Sequence, residues 1–101
     1  MLSSTQLKKA MPSTSMKQGD GFAWRKRGGH SGTKIIQRSL EKFKALGFQP
    51  LKTQDFNHPD GSLVGCGDIY EDANGNRVEF LATYGVTQEY NSYSINLDIM
   101  S

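Results

Sequence analysis

Tyr93, Ile95, Leu97 and Ile99 alternate with Ser94, Asn96 and Asp98 near the end of this 101-residue chain. Successive side chains of an extended strand point to opposite faces. The pattern therefore predicts a strand with one buried and one wet face. Two earlier runs share the period. Over 62–71, Val64, Cys66, Asp68 and Tyr70 lie on one face, and Leu63, Gly65, Gly67 and Ile69 on the other. Glycine at 65 and 67 marks a bulge or a close backbone approach. Over 77–84, Val78, Phe80, Ala82 and Tyr84 alternate. Asp72-Ala73-Asn74-Gly75-Asn76 has the chemistry of a hairpin loop, and a polar loop spans 85–92. The three runs form an antiparallel meander.

One helix precedes the meander, over 33–47. Ile36, Leu40 and Phe43 follow the i, i+4, i+7 spacing, with Ile35 and Leu46 beside the stripe. Lys34, Arg38 and Lys42 repeat on the far side. Ser31 or Thr33 can cap the start, and Gly47 stands where a left-handed C-terminal cap belongs. Residues 48–53 make a short strand, which Pro50 confines to an edge. Asn57-His58-Pro59-Asp60-Gly61 is a turn. The fold class is α+β: one main helix on a three- to four-stranded antiparallel sheet. The uncovered sheet face should be polar or an interface.

The first 32 residues read differently. Leu2, Leu7 and Met11 suggest a short helix over 4–11, stopped by Pro12. The stretch is polar enough to need a partner before it orders. Five glycines fall in 19–32, which predicts a loop with one extended piece at 22–25. The expected organisation is a flexible, basic N-terminal arm over 1–32 and a small domain over 33–101. A folded unit of about 70 residues is marginal alone.

Charge divides the same way. Residues 1–44 hold ten basic and two acidic side chains, a net of +8. Residues 45–101 hold two basic and eight acidic, a net of −6. Such asymmetry speaks to partners rather than to fold. A basic segment suits nucleic acid or an acidic protein surface. The plainer reading is that the halves attract each other, within one chain or between copies.

Several functions are excluded. The chain has no apolar run near the roughly 20 residues a membrane helix needs. It shows no secretory signal. One cysteine, Cys66, makes no internal disulfide, so the expected setting is the reducing cytoplasm, or the interior of a viral particle. Two histidines and one cysteine do not fill a structural zinc site.

The leading site candidate runs from Phe22 to Lys34. Arg25, Lys26, Arg27 and Lys34 can neutralise phosphates, with His30 among them. Trp24 and Phe22 can stack on bases. The loop opens onto a helix start, where free N–H groups favour anions. The plain alternative has both aromatic residues plugging the core. Arg38 and Lys42 extend the basic footprint along the helix, although such a face is usually just solvated. Gly28-Gly-His-Ser-Gly32-Thr-Lys34 lacks the Gly-Lys-Ser/Thr order of a phosphate-binding loop. Asp55, His58, Asp60 and Asp68 are better explained by turn and surface than by metal or acid–base chemistry. Cys66 lacks an evident activating base. Among the aromatic residues, Tyr90 beside Glu89 is the weak candidate for a partner contact.

The expectation is a non-enzymatic binding protein without cofactor or metal. Its arm and loop contact nucleic acid, or the nucleic-acid-binding surface of a partner protein, as a phage-type inhibitor would. The alternative is a small structural subunit of a viral particle or other multimer, its arm lacing onto neighbouring subunits.

Overall fold

The alternating run at the C-terminus lies inside the sheet rather than at its end. This structure, a computed structural model, describes residues 4–57, 63–86 and 89–100, with side chains described for 4–52, 67–85 and 89–100. The elements in chain order are α1 (Ser4–Ala10), β1 (Met16–Gln18), β2 (Gly21–Arg27), α2 (Gly32–Ala45), β3 (Gln49–Asn57), β4 (Leu63–Glu71), β5 (Arg77–Val86) and β6 (Asn91–Ile99). All six strands form one sheet in the order β1-β2-β6-β5-β4-β3, every neighbouring pair antiparallel.

The α+β class and the β4–β5–β6 meander are as expected. The strand and helix counts are not. The sheet has six strands rather than three or four, and the short helix expected over 4–11 forms as α1 and joins α2, the one main helix foreseen. The difference comes from the residues read as a flexible arm. Gln18-Gly19-Asp20-Gly21 turns the chain between β1 and β2, with Gly19 at φ +57°. β2 then pairs along β6 from Phe22↔Leu97 to Arg27↔Ser92. A Cβ at Gly21 would lie 1.7 Å from the Leu97 carbonyl oxygen, so only glycine lets β2 begin that close to β6. Leu7, Ala10, Met11, Phe22 and Trp24 are buried in the same core as Phe43, Phe80, Ile95 and Leu97. The core thus draws on both sides of the expected 32/33 boundary.

Register decides which side chains meet. Phe22, Leu97 and Phe80 share one cross-strand row, and Trp24, Ile95 and Ala82 the next. All six are buried beneath the helices. The opposite face carries Ala23, Arg25, Leu81, Thr83, Ser94 and Asn96, with no described helix over it. It is mixed rather than fully polar. The Thr83 and Ser94 hydroxyls hydrogen-bond across it.

α2 follows the expected span to within two residues and ends as foreseen. Gly47 adopts φ +99° and donates its N–H to the Lys44 carbonyl at 3.0 Å. Ser31 occupies the N-cap without a side-chain cap bond. The buried seam is rotated from the expected stripe: Gly32, Ser39 and Phe43 are buried, whereas Ile36 and Leu40 are half-buried. α1 causes the rotation. Its last carbonyl, Ala10, accepts the Ser39 hydroxyl at 2.7 Å, so a polar residue sits at the helix–helix contact. Gly32 packs under Tyr93, where a Cβ would fall 2.2 Å from the ring. Phe43 stacks on Phe48 at 4.5 Å and meets Tyr70 edge-on at 5.0 Å.

Pro50 lies on edge strand β3, as its missing N–H requires. Asp72 closes the β4–β5 hairpin. Its carboxylate accepts the Asn74 and Asn76 N–H groups at 2.9 Å each and the Asn76 amide at 2.8 Å. The Asn57–Gly61 turn lies largely outside the described residues.

Candidate functional site

Six basic residues of the N-terminal half arrive from two elements. β2 supplies Arg25, Lys26 and Arg27, and α2 supplies Lys34, Arg38 and Lys42. Residues 11–14, leaving α1, pass between them. The three segments enclose a groove of about 410 Å³. Met11, Trp24 and Ile35 give it apolar walls, and Arg25, Lys26, Arg38 and Lys42 surround it. No acidic residue among those described lines it.

Strand alternation separates Lys26 from its neighbours. It falls on the helix face of β2, one pair beyond Trp24, opposite Tyr93. The aliphatic stem is half-buried there. Arg38 and Lys42 stand one turn apart on α2, both exposed. No carboxylate of the described residues pairs with Lys26, Arg38 or Lys42. The ion pair at Glu71 and Arg77, 2.7 Å, lies at the β4–β5 hairpin in the acidic part of the chain. Charge separation in the sequence therefore becomes separation across the sheet. Basic side chains gather around β2 and α2, while Asp68, Glu71 and Glu79 lie on β4 and β5. A concave surface of one sign focuses its field on anions.

Two expected contacts change role. Phe22 and Trp24 are 5% and 4% exposed. A ring that stacks on a base must present a face, and these rings spend theirs on the core. They act as the plugs of the plainer reading, although Trp24 still borders the groove. Arg27 and Tyr90, assigned to different surfaces by sequence, meet: the guanidinium lies 3.9 Å from the ring centroid. Glu89 precedes Tyr90 in the loop before β6 and is exposed.

His30 and Lys34 fall outside the groove lining. His30 sits in a glycine turn, Gly28 at φ +82° and Gly29 at φ +72°. That turn is tied to β6. Gly28 donates its N–H to the Asn91 carbonyl at 2.7 Å, and the Asn91 amide donates to the Gly29 carbonyl at 2.9 Å. The expected free loop is a fixed connection from β2 to α2.

Asp68 was expected at the surface and is buried. Its carboxylate accepts the Tyr70 hydroxyl at 2.6 Å, two residues along the same strand face. No group of three metal-ligating side chains occurs among the described residues. His58 and Asp60 lie outside the described residues, as do the side chains of Asp55 and Cys66. No described helix is long and apolar enough to cross a membrane.

Sequence reasoning missed Met11 and Thr14 as groove walls, and Ser39 as the bond that positions α1. The available signal was Gly19-Asp20 between Lys17-Gln18 and Gly21-Phe22, a two-residue hairpin connection. Once β1 and β2 pair, residues 11–14 must return across the helix layer.

Comparison with protein-family models, with curated proteins and with solved structures gave no match.

Proposed function

We propose that this chain is a non-enzymatic binding protein whose basic groove receives nucleic acid. One observation carries the reading: Lys26, Arg38 and Lys42 converge from two elements on one concavity that Arg25, on the other face of β2, also borders, with no acidic residue among the described residues of its wall. Unpaired cations at a surface retain their full attraction for phosphate. Binding releases the counterions condensed on the polyanion, which makes affinity salt-dependent.

The test is fluorescence anisotropy of labelled DNA and RNA at two salt concentrations. With three to four phosphates neutralised, log K should fall against log salt with a slope of about −2 to −4. A flat response removes the electrostatic basis of the proposal. Lys26→Ala combined with Arg38→Ala should reduce that slope by about 2.

A second reading draws on the sheet. β1 and β3 are edge strands, and the face bearing Ala23 and Leu81 has no described helix over it. Open edges and faces suit a subunit of a larger assembly. Sedimentation separates the two, since assembly requires a concentration-dependent mass.

A further inference from the structure

A second cavity adjoins the groove. It also measures about 410 Å³, and Thr14, Trp24 and Arg25 line both. Met16, Lys17, Gln18 and Ala23 complete its wall, again without an acidic residue among those described. Five cations surround the pair: Lys17 and Arg25 at the second, Arg25, Lys26, Arg38 and Lys42 at the first. Each is within the range of about 300–1,000 Å³ typical of small-molecule sites.

We propose that the two cavities are neighbouring nucleotide subsites on a track for single-stranded nucleic acid. This rests on the nucleic-acid reading above and narrows it. Three features favour a single strand over a duplex. The concavities are paired and share a wall, as consecutive nucleotides share a phosphate. Each joins apolar wall to cation: Met11 and Ile35 with Arg38 and Lys42 in one, Met16 and Ala23 with Lys17 in the other. That combination suits an unpaired base with its backbone, whereas a duplex keeps its bases in its own stack. Finally, among the described lining residues Gln18 is the one side-chain amide and none is a carboxylate, too few groups to read base edges, so binding is sequence-tolerant. Met16, 73% exposed on the short edge strand, gains a partner in this arrangement.

The experiment compares labelled single-stranded DNA and RNA of roughly 12 nucleotides with the duplex of equal length, within the span of known single-strand sites. Single strands should bind at least about tenfold more tightly than duplex. Arg38→Glu and Lys17→Glu, one in each cavity, should each weaken single-strand binding by about tenfold or more. Lys52→Glu, on the far edge strand, carries the same charge change and should cost less than about threefold. Circular dichroism melts of all three variants check that the fold survives. Equal binding of duplex and single strand, with Lys52→Glu as harmful as Lys17→Glu, overturns the track and leaves a diffuse basic surface. Loss at Arg38→Glu without loss at Lys17→Glu overturns the second subsite. Failure of the intact protein to bind any of these probes overturns the nucleic-acid reading itself.

Discussion

Leu7→Ala distinguishes a folded N-terminus from a mobile arm. Leu7 is fully buried, in one cluster with Ala10, Met11 and Phe43. Truncation to alanine removes three carbon atoms from a site closed by two helices and the sheet. Leucine-to-alanine changes in such sites cost about 2–5 kcal/mol, the range set by how far the cavity collapses. α1 is short and its last carbonyl is tied to Ser39. It can shift inward only by stretching that bond, so a cost of about 3 kcal/mol is expected. In urea, with m of about 1.5 kcal/mol per molar, the midpoint falls by about 2 M. By heat, the melting temperature falls by about 12–24 °C for a domain of this size. The assay is urea unfolding followed by circular dichroism, with Lys9→Ala as an exposed control on the same helix. A change below about 0.5 kcal/mol for Leu7→Ala would match an ordinary surface substitution. That result would detach residues 4–11 from the core and refute the packing described.

Ser39→Ala leaves the Ala10 carbonyl without its donor and should cost about 1–3 kcal/mol in the same unfolding assay. Trp24→Ala should destabilise by about 3–5 kcal/mol, because its ring is core rather than an exposed platform. A wild-type melting temperature would refute that. Gly32→Ala forces a methyl group into the Tyr93 ring and should cost about 1–3 kcal/mol. Asp72 is held below its ordinary pKa of 3.8, first by the Asn76 side-chain bond and then by backbone N–H groups. A carboxyl depressed in the folded state stabilises above its unfolded pKa, and that contribution fades as pH falls through the folded value. The acid limb of a stability profile should therefore flatten in Asp72→Ala; an unchanged limb would show that the hairpin bond carries no linkage.

The β4–β5–β6 meander and α2 were legible because their signals are local. Alternation over 93–99 assigns faces whatever lies beside the strand, and Gly47 ends α2 through its own backbone freedom. Asp72 through Asn76 likewise closes a turn with bonds reaching four residues at most. The basic residues were legible as a set, since charge needs no neighbours to be counted. Their convergence was not. Lys26 and Arg38 lie twelve residues apart in sequence, and only the crossing of α2 over the sheet brings them to one groove.

The N-terminus shows the limit most clearly. Residues 1–20 hold few apolar side chains, and composition made them an arm. Leu7, Ala10 and Met11 nevertheless suffice to cover the end of the core, because Ser39 satisfies the helix end they bring with them. Trp24 gives the same lesson from the other side. Its position among arginine, lysine and glycine suited an exposed ring, yet register with Ile95 turned it inward. Patterns of two and of three to four residues follow from backbone geometry, which every residue carries. Which strand lies beside β6, and therefore which residues are core, follows from burial summed over the whole chain.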